Sequence, residues 1–257
     1  MESDAFWDQR VKDFGHTGWS NPMVYAFDQA ARIATIERLL SDLSLPKNLA
    51  LDYGCGVGDF SKVLTKYFDN VIACDISEQA LEQAKRKNGE DKLQWVHPYA
   101  ISYQEESMGL VLSVTVLGHL MKEQELEALL SKFHKALMPS GCVIAMEFAP
   151  QNTPSSSSAY QKFRCFDDWK NRFEEQGFEL SQYYGFYHPT LAPCPSFSKY
   201  KTNLHVRFWN LLSRFFKGNN RFESLANPFV ANHRDYSWPG KPEDPIKIMV
   251  FQKKKGT

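Results

Sequence analysis

Ten residues constrain this chain more than any others: Leu51-Asp52-Tyr53-Gly54-Cys55-Gly56-Val57-Gly58-Asp59-Phe60. A short apolar strand runs straight into three alternating glycines. Behind them Phe60, Val63, Leu64 and Phe68 recur at helical spacing. The stretch reads as strand, glycine loop, helix. Residues without Cβ let such a loop turn tightly and let a ligand lie on bare backbone, while the unpaired amides at the start of the helix face the same space.

The spacing of the glycines separates the ligands that use such a turn. A dinucleotide fingerprint places its third glycine three positions after the second, where the helix packs closely and a pyrophosphate sits on its N-terminus. In this chain the third comes after two positions, at Gly58, and Asp59 stands where a pyrophosphate would meet the wrong sign of charge. Asp52, at the strand end, adds a second negative group suited to an ammonium or another cationic ligand. Asn70-Val71-Ile72-Ala73-Cys74-Asp75-Ile76 is a second apolar run. Its acid falls about 20 residues past the first glycine, the spacing at which a carboxylate accepts both hydroxyls of a ribose. Ser77 is available to cap the following helix, with Glu78 in its first turn, so Asp75 is not needed for that task.

The pattern Asp52-x-Gly54-x-Gly56-x-Gly58, followed by Asp75, resembles the first two motifs of class I S-adenosylmethionine-dependent methyltransferases. The resemblance covers roughly residues 45 to 187 and the last strand. It implies a loop of Gly54, Cys55, Gly56 and Gly58 that cradles S-adenosylmethionine, with S-adenosylhomocysteine as product. It also implies that Asp75 holds the ribose and that Ile76 packs on the adenine. Many members carry an acid about two dozen residues after the ribose acid; here Tyr99 stands there, with Ala100 beside it, as the adenine contact. A further departure is Gly109, where the family usually has an acid.

Strands and helices alternate through most of the chain. Lys92 to His97 reads as a third strand, Leu110 to Val116 as a fourth, Gln124 to Leu137 as a helix and Cys142 to Phe148 as a fifth strand after Pro139-Ser140-Gly141. A helix over Asp167 to Gln176 leads to a sixth strand, Phe178 to Tyr187, and Ile246 to Gln252 is the seventh. This alternation predicts an α/β fold, a Rossmann-like, doubly wound, mostly parallel seven-stranded sheet with ligands beyond the carboxyl ends of the strands. Gly54, Asp75, Tyr99 and Ser113 fall at or near such ends.

Three regions follow from this reading. Residues 1–45 form an N-terminal lid and leading helix: the first 22 or so are aromatic without a clean period, and Met23 to Leu43 carries one apolar face. In the resembling family such segments close over the methionine end of the cofactor, which makes Trp7, Trp19 and Tyr25 candidate gate residues. Residues 46–187 with 245–257 form the cofactor domain. Residues 188–244 form an insert, longer than an ordinary sheet connection. Within it Leu204, Phe208, Leu211, Leu212 and Phe215 make an apolar face opposite Arg207, Asn210, Arg214 and Lys217. That helix reads as a substrate cap, a homodimer surface or a lipid contact.

Composition weighs against several classes. Thirty basic and thirty acidic residues cancel, so no overall field favours nucleic acid. The five cysteines show neither a CxxC pair nor a ladder of spacings, so no metal site or disulfide framework is expected. The acidic start Met1-Glu2-Ser3-Asp4 and the lack of a long apolar run point to a cytoplasmic protein with no membrane span.

The expected activity is methyl transfer to a small-molecule acceptor, foremost a hydroxyl of a natural product or sugar. His119, just past the fourth strand, is the candidate base for a hydroxyl proton, or else a histidine that fixes the loop or lines the pocket. A small amine as acceptor, or a catalytically silent cofactor-binding partner protein, are the other readings. A nicotinamide oxidoreductase shares the architecture but not the glycine spacing.

Overall fold

The computed structural model describes residues 3–20, 22–152, 158–186 and 243–254. The elements in chain order are α1 (Ser3–Phe14), α2 (Pro22–Asp42), β1 (Leu49–Tyr53), α3 (Asp59–Leu64), β2 (Asn70–Cys74), α4 (Glu78–Asn88) and β3 (Leu93–Val96). They continue through β4 (Met108–Val114), α5 (Glu123–Ala136), β5 (Leu137–Phe148), α6 (Phe166–Glu175), β6 (Phe178–Gly185) and β7 (Ile246–Lys253). Short 3-10 turns span Pro98–Ala100 and Leu117–His119.

The strands form one seven-stranded sheet in the order β3-β2-β1-β4-β5-β7-β6. β7 runs antiparallel to both β5 and β6, while the pairs among β1 to β5 are parallel. The chain winds outward from β1 to β3, then crosses back to lay β4 on the other side of β1. That reversal opens a crevice beyond the carboxyl ends of β1 and β4.

Both faces of the sheet are covered, which is why its central strands are almost continuously apolar. On one face Leu110, Leu112, Ile144 and Met146 meet Ile36, Leu39 and Leu40 of α2 and Phe60 and Leu64 of α3. On the other, Leu51, Val111, Val143 and Ala145 meet Leu126, Leu130 and Phe133 of α5 and Trp169 and Phe173 of α6. From Leu110 on, successive residues of β4 alternate between these two layers, as the two-residue repeat of a strand requires.

Several expectations are refined. The first residues, aromatic without a clean period, form a regular helix, α1. Its Asp8 accepts from Ser77 Oγ at 2.6 Å and from the Gln79 amide at 3.2 Å, so α1 docks on the start of α4. Ser77 caps α4 as expected, its Oγ accepting from the Ala80 amide at 3.0 Å. β5 begins at Leu137 rather than Cys142, with a register irregularity opposite Met108 and Leu110 taking up the Pro139-Ser140-Gly141 stretch. Glycine at 109 has a steric cause: a Cβ there would lie 1.8 Å from the Pro46 carbonyl oxygen. The insert helix over 204–217, its aromatics, the dimer surface expected on it, and Tyr187 lie outside the described residues.

Candidate active site

The crevice beyond β1 and β4 holds a cavity of about 800 Å³. One wall is the glycine loop. The amides of Gly54 and Cys55 both donate to the Cys74 carbonyl at 2.8 Å, which ties the loop to the end of β2. Gly54 and Gly56 adopt φ +78° and +53°, the left-handed region that L side chains avoid. A Cβ on Gly54 would lie 2.2 Å from Val116 Cγ2, and one on Gly56 would lie 2.8 Å from Thr17 Oγ1. The loop backbone is therefore bare toward the cavity and toward the N-terminal segment above it.

Asp75 closes the second wall. Its Oδ2 accepts from the Gly56 amide and its Oδ1 from the Ser77 amide, each at 2.9 Å. Burial pushes its carboxyl up from the ordinary value, and the two amides oppose that rise. Asp75 and Ile76 line the cavity together with Gly54, Cys55 and Gly56.

Five expected contacts are not brought into the cavity. Asp52 is buried beneath the loop, its Oδ2 accepting from Ser61 Oγ at 2.5 Å. Burial pushes its pKa up to about 7, partly offset by the Ser61 bond, so it is not an exposed anion awaiting a cationic ligand. Tyr99 points outward and is 96% exposed, with exposed Ala100 next to it. The turn over Pro98–Ala100, in which the Tyr99 amide donates to His97 Nδ1 at 3.4 Å, presents Pro98 to the cavity instead. Ser113 is fully buried inside β4. Gly58 also stands back from the cavity; a Cβ there would lie 2.6 Å from the Trp95 ring.

A strap over residues 15–20 covers the glycine loop. Arg10 donates to the Thr17 carbonyl at 3.3 Å and also to that of Gly18. Gln83 Nε2 donates to the Gly15 carbonyl at 2.6 Å. Trp19 and Tyr25 both line the cavity. Trp19 Nε1 donates to Asp28 Oδ2 at 3.0 Å, and the Tyr25 hydroxyl donates to Asp59 Oδ2 at 2.7 Å. Asp28 is in turn paired with Arg32 at 2.8 Å, and Arg32 Nη1 reaches Thr115 Oγ1 at 3.4 Å. The sequence reading passed over Asp28 and Arg32; their signal was an acid and a base four apart on one face of α2.

The turn after β4 forms the far wall. Thr115 has φ +55°, an outlier for a β-branched residue. His119 lines the cavity, its Nδ1 lying 2.6 Å from the Tyr160 carbonyl oxygen. A carbonyl only accepts, so Nδ1 carries the proton and Nε2 keeps its lone pair in the neutral ring. Burial lowers the His119 pKa from the usual imidazole value, the Tyr160 carbonyl opposing. Trp7 packs edge-on to the ring at 4.9 Å.

Residues 51–145 match a family described as a methyltransferase domain. Residues 51–145 thus form a methyltransferase domain of the S-adenosylmethionine-dependent kind. No curated protein sequence matches it. Solved structures share the fold at low identity. The complex between the Haloferax volcanii Trm112 methyltransferase activator and a methyltransferase aligns with TM-score 0.64 and 12% identity over 98% of each chain. Haemonchus contortus phosphoethanolamine N-methyltransferase 2 with S-adenosylmethionine aligns at 0.61 and 13%, over 99% of this chain and 60% of that one. The DhpI complex with S-adenosylhomocysteine aligns at 0.53 and 20%, over 69% and 86%. The residues present fit the cofactor: bare loop backbone and a buried carboxylate, Asp75, face one cavity. Among the described residues no helix is long and apolar enough to cross a membrane.

Proposed function

We propose that the chain methylates a hydroxyl of a small-molecule acceptor, with His119 as the base. The observation that carries this reading is the His119–Tyr160 contact, which leaves a lone pair on Nε2 in a cavity shared with the glycine loop and Asp75.

The bound cofactor supplies a methyl group on a sulfonium, already activated for transfer. The residues do the rest. Asp75 accepts the ribose hydroxyls, the backbone at Gly54, Cys55 and Gly56 lies against the cofactor, and Ile76 and Pro98 flank the adenine. The strap with Trp19 and Tyr25 closes over the methionine end and excludes water. His119 takes the acceptor proton through Nε2. Its lowered pKa keeps the ring neutral, and so able to do this, near pH 7. A cavity of about 800 Å³ lies within the range of small-molecule sites, roughly 300–1,000 Å³, which supports a compact acceptor over a polymer.

Calorimetric titration with S-adenosylmethionine and S-adenosylhomocysteine, followed by a methyl-transfer screen of hydroxylated compounds against amines, tests this. Micromolar cofactor binding and turnover on hydroxyls that collapses in His119→Ala is expected. Turnover confined to amines and indifferent to His119 would replace the hydroxyl reading, and no binding of either cofactor form would overturn the cofactor assignment.

A further inference from the structure

Glu147 is the penultimate residue of β5 and has no solvent exposure. Its Oε1 accepts from the amides of Val116 at 2.9 Å and Leu117 at 2.8 Å, and its Oε2 from that of Gly118 at 3.3 Å. Three consecutive donors of one turn converge on one carboxylate. The same turn is gripped from the other side, where the Lys162 amide donates to the Gly118 carbonyl at 2.8 Å and His119 bonds the Tyr160 carbonyl. The turn leaves β4 through Thr115 in the left-handed region, a conformation that persists where surrounding contacts over-determine it. Val116, which the carboxylate fixes directly, is the residue packed against Gly54.

We propose that Glu147 is a positioning residue for methyl transfer: its buried carboxylate holds the Thr115–His119 turn in the conformation that presents His119 to the acceptor. The proposal rests on the reading of His119 given above, while Glu147 itself touches neither cofactor nor acceptor. A carboxylate suits the task because it offers acceptors alone. A glutamine of the same shape has one oxygen for three donors and turns an NH₂ group toward an amide. Burial pushes the Glu147 pKa up to about 7, opposed by the three amides and by Arg164. The charged and titratable groups around it are Arg164 from the 158–165 segment, His119 on the turn itself, and Lys247, its register partner on β7.

The test uses the ¹⁵N-labelled full chain without acceptor. In the native protein the amide resonances of Val116, Leu117 and Gly118 move together with pH, with one midpoint near the Glu147 value of about 7. In Glu147→Gln that shared titration disappears and the His119 ring titrates closer to the ordinary imidazole value of about 6.5. S-adenosylmethionine affinity, read by calorimetry, stays within about threefold, since the substitution leaves cofactor contacts alone. An unchanged His119 titration in the variant, or a tenfold loss of cofactor affinity (about 1.4 kcal/mol), would each overturn the assignment. Where Glu147→Gln does not fold, Glu147→Asp, whose shorter carboxylate cannot reach all three amides, is put to the same His119 and affinity readouts. Absence of cofactor binding to the native protein overturns the methyltransferase reading and leaves the turn titration as a separate result.

Discussion

The Gly56 amide donates to Oδ2 of Asp75 across 2.9 Å. The glycine loop after β1 and the acid at the end of β2 are thereby one rigid unit. The same carboxylate holds the Ser77 amide at the start of α4, and Ser77 in turn donates through its hydroxyl to Asp8 of the N-terminal helix. The glycine loop, the acid at the end of β2 and the N-terminal helix converge on a stretch three residues long.

Asp75→Ala should lower S-adenosylmethionine affinity by about 100-fold or more. Hydrogen bonds to a charged group are worth about 1.5–3 kcal/mol each, and the ribose offers two. Calorimetry measures it. Unchanged affinity in a folded variant would remove Asp75 from the cofactor site.

Gly54→Ala should destabilise the fold on two counts. An L residue at φ +78° costs roughly 1–2 kcal/mol, and the new Cβ would collide with Val116 at 2.2 Å. Adding Val116→Ala should relieve most of the collision, leaving the Val116 Cβ at 2.9 Å from the new atom and the backbone cost. Urea unfolding of the single and double variants separates the two, and an unaltered midpoint for Gly54→Ala would mean that the loop conformation is not required.

His119→Ala should reduce kcat by about 10²–10⁴, the usual reach of a positioned general base, with little change in S-adenosylmethionine affinity. A radiolabelled methyl assay on any hydroxylated acceptor found in the screen reads this directly. Equal turnover in both proteins would leave His119 as a wall of the cavity.

What the sequence made legible is what depends on nearest neighbours in the chain. The glycine spacing and the alternating apolar runs placed β1, β2, β4 and the crevice between them, and the distance from Gly54 to Asp75 placed an acid on the same cavity. What it hid depends on burial and on distant partners. Asp52 looks like a strand-end anion until Ser61, nine residues on, is seen to cover it. Tyr99 occupies the counted position, yet His97 and Pro98 set a local turn that faces it outward. α1 escaped notice although Phe6, Trp7, Arg10, Val11 and Phe14 recur at helical spacing, because charged residues interleave them and Val11 is the one that it fully buries. Glu147 stood in plain view as a lone acid in the apolar run from Cys142 to Phe148.

Asp52 leads to a pH prediction with a definite sign. Its pKa rises on folding from 3.8 to about 7, because burial penalises the anion. Between those values the folded chain keeps a proton that the unfolded chain releases. Stability from this group is therefore fully present below 3.8 and is lost as pH rises through about 7. The loss approaches about 4 kcal/mol by pH 8, at about 1.36 kcal/mol for each pH unit between the two values. Asp52→Asn has no proton to lose, and its carboxamide oxygen can still accept from Ser61. Relative to the native protein it should gain stability from pH 4 up to about pH 7 and level off by pH 8, by an amount on the order of 3–4 kcal/mol. Because Asp52 lies beneath the loop and not in the cavity, its cofactor affinity should stay within about threefold. Urea unfolding at both pH values, with calorimetry alongside, reads the two effects separately. A stability difference that is flat with pH would mean that Asp52 ionises at its ordinary value. A large loss of affinity would restore it to the ligand-facing role that its place at the strand end first suggested.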